Sequence, residues 1–438
     1  MIDRFLQQAG PYASLMAGYL LIMVVGSFLL AIPIFHAPPI APLDAFFTAI
    51  SAVSTTGLIT VSTPDAYNLA GEILIIILIQ IGGVGYMSLA SFVVLSSRHK
   101  ISKVSEQLIK TDFSLPEHFS LGHFVRSVIL FAFFIELIGA IALYICFWQA
   151  GTPDPLWQAI FHSISGFCTA GFSLFNNSLE DYKFNFWINF IVILLSLGGS
   201  IGFIVFADVY RKLIKKKSKI TYTSRIILRF TVVALVASTL ILLISEDAFY
   251  SYPFGNQLLV SLFQGMTAFT TVGFNSFPIG EMTGSGIFFI IVLMLAGASP
   301  SGTGGGIKST TIVALFAVMK CTLQGRKKTT FGGREIPADK LRLAITNFFF
   351  YILVLVIGIF LLSQFDSQPI FDLIFEATSA LGTVGLSTGV TGGLSVGGKL
   401  VIIVLMFLGR IGPITFGLAL LKSDEETQVV LQSEDIAI

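Results

Sequence analysis

The chain has 438 residues, of which 54% are hydrophobic and only 12% are charged, and its mean hydropathy is +0.86. Soluble domains carry about 25% charged residues, so this composition excludes an ordinary soluble protein and predicts an integral membrane protein. The formal net charge of +1 says nothing about partners. Three cysteines, Cys146, Cys168 and Cys321, lie in or beside apolar segments without a paired spacing. This predicts small buried side chains rather than a metal site or a disulfide framework.

Eight apolar segments are long enough to cross a bilayer, which requires about 20 residues per helix. The first follows Asp3 and Arg4 and has no small-residue cleavage site, so we expect a retained first span rather than a signal peptide. In chain order, the eight segments lie near 14–35, 73–95, 124–148, 187–207, 226–244, 286–319, 343–363 and 399–421.

Four shorter apolar stretches lie between the members of successive pairs of spans, at 43–53, 156–167, 257–269 and 369–381. They are too short to cross a hydrocarbon core of about 30 Å, which favours re-entrant half-helices. The predicted fold is therefore an all-α membrane protein with eight transmembrane helices and four re-entrant pore half-helices.

A short phrase, in which a Thr stands two residues before a Gly, follows each predicted half-helix. The four pairs are Thr55/Gly57, Thr169/Gly171, Thr271/Gly273 and Thr383/Gly385. Ten residues before each Gly stands a Phe, and six residues before it stands a Ser or a Thr. Four such phrases in register are an internal repeat. They divide the chain into span–pore–span units at 1–100, 101–215, 216–325 and 326–422, followed by a tail at 423–438.

The positive charges predict the orientation. The loops 98–126, 211–229 and 320–342 contain 20 of the 26 lysine and arginine residues, and such loops face the cytoplasm. Both termini are then cytoplasmic, in a multi-pass protein of the plasma or inner membrane, and all four half-helices enter from outside. The opposite connections are acidic, with Lys183 and Lys399 as their only cations; their acids are Asp44, Asp65, Asp154, Glu180, Asp181, Glu246, Asp247, Glu281, Asp366 and Asp372.

The sixth span is interrupted by the run 297–306, which contains five glycines and a proline. Each Gly costs about 1 kcal/mol and Pro about 3 kcal/mol relative to Ala, so a continuous helix is not expected there. Irregular backbone at membrane depth survives where it lines a cavity. Lys308 and Arg410 also lie inside apolar spans, which marks them as functional candidates. Snorkelling to an interface is the alternative for Lys308, whereas Arg410 lies mid-span.

The repeated phrase suits a dehydrated monovalent cation. Four turns at the ends of half-helices that converge on one axis can point backbone carbonyls inward and replace the hydration shell of K⁺, as in the potassium-channel filter TVGYG. The alternative is that these glycines only allow close helix packing. The predicted filter, with K⁺ at its backbone carbonyls, consists of Ser54, Thr55, Thr56, Gly57, Cys168, Thr169, Ala170, Gly171, Thr270, Thr271, Val272, Gly273, Gly382, Thr383, Val384 and Gly385.

Other functions have weaker support in the sequence. The run 302–309 resembles a phosphate loop, but Ile307 stands where a Gly is needed. His162 and Glu376 lie nine residues before their glycines, where polar packing behind a filter competes with a metal or catalytic role. No nucleophile–base pair is recognisable at membrane depth, so the protein is not predicted to be an enzyme. An alternating-access symporter with its substrate site at the broken sixth span stays open as an alternative.

The chain resembles the Ktr/Trk/HKT superfamily of potassium transporters, most of all its KtrB-type pore subunits. The resemblance rests on the four phrases, on Gln80-Ile81-Gly82-Gly83-Val84-Gly85, on the run 297–308 and on Gly409-Arg410-Ile411-Gly412-Pro413. The longer Trk relatives carry an extra N-terminal pair of spans that is not found here, which favours the Ktr branch.

The resemblance implies four covalently linked pore units, two such chains in a homodimer, and a cytosolic ring of nucleotide-binding (KtrA-like) regulatory subunits. It also implies K⁺ as the substrate, Na⁺ as an activator or a coupled ion, and no covalent cofactor or nucleic-acid partner. The four repeated glycines become filter glycines, and Arg410 faces the conduction path near an intramembrane gate loop. The implied gate residues are Gly297, Ser299, Pro300, Gly302, Gly304, Gly305, Gly306, Lys308 and Arg410.

Overall fold

The structure, a computed structural model, describes the backbone of residues 2–85, 121–214 and 220–420 and the side chains of 12–85, 125–212 and 220–419. The described chain is almost entirely helical. The predicted basic loops 98–126 and 211–229 lie partly outside these residues, and the tail at 423–438 lies wholly outside them.

The helices occur in chain order as follows: α1 (Ile2–Leu30), α2 (Pro42–Ser54), α3 (Thr63–Ala66), α4 (Leu69–Val84), α5 (Leu121–Gln149), α6 (Pro155–Phe167), α7 (Phe186–Ile201), α8 (Phe203–Ile214), α9 (Tyr222–Ser245), α10 (Phe254–Thr270), α11 (Gly284–Leu295), α12 (Ser309–Leu323), α13 (Ala338–Phe365), α14 (Ile370–Gly382), α15 (Val396–Ile411) and α16 (Pro413–Leu420). Two short strands, β1 (Thr330–Phe331) and β2 (Arg334–Glu335), form an antiparallel hairpin between α12 and α13.

Four helices among the described residues are long and apolar enough to cross a membrane by themselves, and they lie at Tyr12–Leu30, Val125–Gln149, Tyr222–Ser245 and Ala338–Phe365. Two bent pairs, α7 with α8 and α15 with α16, bring this number to six if each pair is one span. The remaining predicted spans are shorter here. The description of the second stops at residue 85, and the sixth is divided into α11 and α12.

The sequence predicts a break only in the sixth span, but the fourth and eighth are also broken. The chain bends by 94° between α7 and α8 and by 89° between α15 and α16. The hinge residues, Gly202 and Gly412, have φ values of +93° and +86°. A residue with a Cβ rarely adopts these angles, so glycine ends the helix and redirects it. The helix α4 stops in the same way at Gly85, whose φ is +86°.

The four predicted half-helices are α2, α6, α10 and α14, and they form the centre of the molecule. The phenylalanine ten residues before each repeated Gly is fully buried. The long helices surround this centre and expose large apolar side chains, such as Phe133 and Trp148 on α5 and Phe349 and Phe360 on α13. Such an outer surface suits contact with lipid, because the hydrocarbon tails of lipids are as apolar as these side chains.

Candidate ion-conduction site

The four repeated glycines form a closed ring, which we call the glycine ring: Gly57, Gly171, Gly273 and Gly385. A Cβ built on each would overlap the carbonyl oxygen of the residue before the next glycine in the ring, and it would lie 3.0–3.2 Å from the next Cα. The last glycine, Gly385, meets Thr56 and Gly57 in this way, so the ring closes. All four glycines also have positive φ values, between +67° and +93°. Any side chain here would therefore collide with the neighbouring segment and strain its own backbone.

The threonine two residues before each glycine is also in the left-handed region, with φ between 49° and 59°. We call these four residues, Thr55, Thr169, Thr271 and Thr383, the threonine ring; all are fully buried. Left-handed threonine is uncommon and costly, so its fourfold occurrence indicates a conformation imposed by packing. One hydrogen bond recurs in each repeat and fixes this turn: Thr56 N to Ser51 O (2.9 Å), Ala170 N to Ser165 O (2.8 Å), Val272 N to Thr267 O (3.2 Å) and Val384 N to Ser379 O (2.8 Å).

The polar residues nine positions before three of the glycines hold the segment that follows the glycine. His162 Nε2 bonds the Ser173 hydroxyl (2.8 Å), and Gln264 Nε2 donates to the Phe277 carbonyl (3.0 Å). The Glu376 carboxylate accepts from the hydroxyl groups of Ser387 and Thr391 and from the Thr388 amide. Among the described residues no three His, Cys, Asp or Glu side chains form a group that could hold a metal ion. The contacts of His162 and Glu376 are those of polar packing.

The loop between α11 and α12, residues 296–308, lies against the threonine ring. The Thr303 hydroxyl bonds the Thr169 hydroxyl (2.9 Å), and the Thr303 carbonyl accepts from the Thr55 hydroxyl (3.3 Å). The Gly305 amide donates to the Thr383 hydroxyl (2.9 Å). A Cβ on Gly304 would overlap the Thr271 hydroxyl oxygen. The loop therefore touches all four threonines at once, and its glycines make that approach possible.

The predicted gate residues other than Arg410 lie in this loop, whose two ends lie together. The Ala298 amide donates to the Gly305 carbonyl (3.1 Å), and the Ile307 amide donates to the Leu295 carbonyl (3.3 Å). Lys308 Nζ donates to the Gly304 carbonyl at 2.7 Å, so the ammonium group is directed into the loop. The loop is therefore compact, and its ends are close together, as in an Ω-loop.

Four hydrogen bonds also tie the loop to the break between α7 and α8. The donors and acceptors are Ser299 N to Ser200 O (2.9 Å), Thr303 N to Gly199 O (3.1 Å), Phe203 N to Ser301 O (3.1 Å) and Ile204 N to Ser301 Oγ (3.1 Å). Each helix end leaves backbone groups without intrahelical partners, and unsatisfied groups are costly at membrane depth. The backbone groups at the two breaks form hydrogen bonds with each other, which explains why both breaks can exist in apolar segments.

Arg410, near the end of α15, connects the loop to two other parts of the site. Its Nη1 donates to the Thr303 carbonyl and to the Thr55 hydroxyl, the latter at 3.1 Å, and its Nη2 donates to the Gly82 carbonyl. The guanidinium also lies over the Tyr19 ring, 5.7 Å from the centroid. A planar group with several donors can make these contacts together, whereas a lysine cannot.

A cavity of about 320 Å³ opens on the other side of the glycine ring and is lined in part by all four glycines. Glu180 and Asn275 also line it, and the Asn275 amide donates to the Glu180 carboxylate at 2.6 Å. Desolvation raises the pKa of Glu180 above its ordinary value, and Glu281 and Asp181 add to this, while Asn275 and Lys183 oppose it. The cavity has a polar, acidic rim that suits a cation.

The structure adds two residues to the site: Glu136, which the sequence did not single out, and Gln80, which the sequence marks only as part of the run 80–85. Glu136 lies within α5 and is 7% exposed, and Gln80 Nε2 donates to both of its carboxylate oxygens at 3.1 Å. The sequence signal for Glu136 is that it is the one carboxylate inside the apolar run 124–148. A lone carboxylate in such a run is as strong a functional marker as a lone arginine.

Comparisons with known proteins identify the family of the chain. The TrkH family model, described as a cation transport protein, matches residues 11–429. The chain is 34% identical over 427 residues to the Ktr system potassium uptake protein B of Bacillus subtilis (95% of this chain, 94% of the relative). It is 33% identical over 431 residues to the potassium/sodium uptake protein NtpJ of Enterococcus hirae (96% and 95%).

The crystal structure of the potassium transporter TrkH from Vibrio parahaemolyticus has the same fold. It matches with a TM-score of 0.74 at 22% identity, over 94% of this chain and 85% of that chain. The family match covers nearly the whole chain and so includes every element of the site described above. The chain therefore belongs to the TrkH family of cation transport proteins: it is a potassium (cation) uptake transporter of the Ktr/Trk family and not an enzyme.

Proposed function

We propose that the protein is a potassium-selective, channel-like uptake subunit that conducts K⁺ through the centre of the glycine ring. In this proposal eight spans and four re-entrant half-helices form four units, 1–100, 101–215, 216–325 and 326–422, around one pore. The observation that carries the proposal is the closed contact of Gly57, Gly171, Gly273 and Gly385 across segments about a hundred residues apart.

Several electrostatic contributions favour a cation at this position. Backbone carbonyls replace the hydration shell of K⁺, and the C-terminal ends of the four half-helices carry partial negative charge. A membrane potential that is negative inside adds about 2.3 kcal/mol per charge for each 100 mV. The filter residues predicted from the sequence, together with the acidic outer cavity, define the path from outside.

The loop 297–308 is the proposed gate. Its contacts with all four members of the threonine ring support a position across the proposed path, on the side opposite the cavity. A conducting state requires the loop to leave these hydroxyl groups, which then become free to coordinate an ion. Arg410 holds the loop in the blocking position through the Thr303 carbonyl.

The names of the relatives support the proposed ions, and the family resemblance supplies the proposed partners. One relative is a component of a Ktr system for potassium uptake, and another is named a potassium/sodium uptake protein. We propose that this chain forms a homodimer in the cell membrane with both termini in the cytoplasm, docks on a cytosolic nucleotide-binding ring, and responds to Na⁺.

The first test uses the purified full-length protein in proteoliposomes under a set voltage, with K⁺, Rb⁺ or Na⁺ outside. We expect uptake that follows the voltage and prefers K⁺. In detergent, K⁺ should raise the unfolding temperature at concentrations where Na⁺ does not, because a ligand that binds only the folded state stabilises it. This second readout works with the gate closed. Equal stabilisation by both ions, with no preference in uptake, contradicts a potassium filter.

The second test removes residues 299–306. Ala298 and Ile307 can be joined because the two ends of the loop lie together. We expect the shortened protein to fold and to take up K⁺ faster without any partner, because no loop covers the threonine ring. Unchanged or slower uptake by a shortened protein with the wild-type unfolding temperature contradicts the gate.

A further inference from the structure

Glu136 is an ionisable side chain inside an apolar helix, and the proposed conduction path does not use it. It lies within α5 and is almost completely buried. Ionisable residues inside membrane spans are costly, and they are rarely present without a function and a specific partner. The partners of Glu136 identify what it acts upon.

A short chain of contacts leads from Glu136 to the second filter segment. Gln80 of α4 donates from Nε2 to both carboxylate oxygens of Glu136, at 3.1 Å each. The Oε1 atom of Gln80 accepts the Cys168 thiol at 3.4 Å, and Glu136 Oε1 lies 3.7 Å from the same sulfur. Cys168 directly precedes Thr169 of the threonine ring. The thiol is a weak donor, so its partner must be held in place for the contact to persist.

This arrangement occurs in one repeat only among the four equivalent positions. Ser54 and Thr270 bond within their own repeats, and Gly382 has no side chain. Cys168 is the one residue at this position that is held by groups from other elements. The second filter segment therefore depends on α4 and α5 for its position in a way that the other three segments do not.

The stretch of α4 next to Gln80 contacts the filter and the gate as well. A Cβ on Gly83 would lie 2.7 Å from the Cys168 sulfur, so the absence of a side chain allows Cys168 to pack on α4. The Gly82 carbonyl accepts from Arg410. By holding Gln80, Glu136 anchors a stretch of α4 that supports the filter on one side and Arg410 on the other.

Resting on the proposed conduction function, we propose that Glu136 is a positioning residue of the filter that contributes to the discrimination of K⁺ from Na⁺. Glu136 orients Gln80, and Gln80 orients the Cys168 thiol and with it the segment 168–171. A filter selects by the spacing and number of its carbonyl groups, so a second segment that is free to move should accept the smaller Na⁺ more readily.

The experiment measures the ratio of K⁺ to Na⁺ uptake by the full-length protein in proteoliposomes, and the ratio of the K⁺ and Na⁺ concentrations that stabilise it in detergent. The variants are Glu136→Leu, Glu136→Gln and Cys168→Ala. The matched control is Ser196→Ala, which removes a fully buried hydroxyl that bonds its own helix at Val192.

We expect Glu136→Leu to lower the K⁺/Na⁺ ratio by about tenfold, because it leaves the buried Gln80 amide without its acceptor. Cys168→Ala removes a weaker thiol donor and should lower the ratio by about threefold. Glu136→Gln keeps an acceptor for Gln80 and should stay within about threefold of the wild type, since most of that bond is retained. Ser196→Ala should not change the ratio. The double variant Glu136→Leu/Cys168→Ala should be no less selective than the worse single variant, because both act through one contact.

A folded Glu136→Leu variant with the wild-type ratio overturns the proposal. If that variant does not fold, Cys168→Ala decides alone, because it leaves the pair of Glu136 and Gln80 in place; a wild-type ratio there overturns the proposal equally. A wild-type protein that does not prefer K⁺ in either readout contradicts the conduction function itself and is detected before any variant is compared.

Discussion

At the residue scale, the repeated glycines show why one residue type is required at these positions. Each has a positive φ, and each leaves room for the carbonyl of the residue before the next glycine. A four-membered contact of this kind has no space for a single methyl group. The same logic applies to Gly304 and Gly305, whose missing side chains let the loop reach the threonine hydroxyl groups.

Gly273→Ser should reduce the K⁺/Na⁺ uptake ratio by about tenfold or more, since forcing a residue into such a strained conformation costs about 1–3 kcal/mol. Its Cβ would overlap the Val384 carbonyl and displace the fourth segment. The measurement is the uptake ratio at equal reconstitution. Gly255→Ser is the control, because Gly255 lies on the half-helix that precedes Gly273 and has nothing within 4 Å of its Cβ position. A Gly273→Ser protein as selective as this control would show that this glycine is not part of the filter.

Arg410→Lys separates the positive charge of Arg410 from its geometry. A lysine keeps the charge but cannot bond the Thr303 carbonyl, the Thr55 hydroxyl and the Gly82 carbonyl together. We expect uptake without a partner to increase by about tenfold, because charge-assisted hydrogen bonds that hold the loop are lost. Uptake is measured beside Arg410→Met, which removes both charge and geometry. If only Arg410→Met increases uptake, the charge rather than the anchoring of the loop controls the gate.

At the element scale, the breaks in the helices depend on one another. The sequence shows the Gly-rich run 297–306 as a break, but it does not specify the bends at Gly202 and Gly412. Glycines in a membrane span also occur where helices pack closely, so Gly198, Gly199 and Gly409 beside the two hinges do not by themselves indicate a bend. The carbonyl and amide groups left open by the α7–α8 break are those that the loop needs. Because of these hydrogen bonds, we expect the proposed gate loop and the break in the fourth span to move as a single unit.

Gly202→Ala should loosen this unit. Gly202 has a φ of +93°, and a Cβ on it would overlap the Pro300 carbonyl. We expect the free energy of unfolding to fall by about 1–3 kcal/mol and the loop to release more readily, which increases uptake. Gly325→Ala is the matched control: its φ is +64°, but no atom lies within 4 Å of its Cβ position. Similar uptake by both variants would contradict the coupling of the break to the gate.

At the scale of the whole molecule, charge is distributed unequally along the proposed path. An ion pair of 2.8 Å joins Lys399 of α15 to Asp44 of α2, so it ties the last of the proposed units to the first. Glu180 lines the outer cavity beside the glycine ring. Negative charge at such a mouth raises the local concentration of cations.

Uptake should decrease as the external pH falls, starting above the pH range in which an ordinary glutamate titrates. The reason is that desolvation raises the pKa of Glu180, so this carboxylate is protonated and loses its attraction for K⁺ at a higher pH than usual. Glu180→Gln should lower uptake at neutral pH and flatten its pH dependence. The measurement is initial K⁺ uptake against external pH, with Asp247→Asn, an exposed acid outside the cavity lining, as the control. An identical pH profile for Glu180→Gln and the wild type would contradict this role.

The sequence by itself determined the membrane class, the fourfold repeat, the short helices that end in Thr-x-Gly and the interruption of the sixth span. These features are local: hydropathy, segment length and the conformational demands of glycine and proline act within a few residues. The four glycines could therefore be named as a set from their spacing alone, and Arg410 could be named because a charge in an apolar run is visible without a structure.

Only the tertiary structure decided which of these residues touch. The cyclic order of the glycine ring, the contact of the loop with the threonine ring, the bends at Gly202 and Gly412 and the bond of Glu136 to Gln80 join residues that are distant in the chain. Such contacts follow from how the helices pack around the common centre. No local pattern specifies that packing, because an apolar helix face is compatible with many neighbours, whereas the shape of the assembled bundle admits one arrangement.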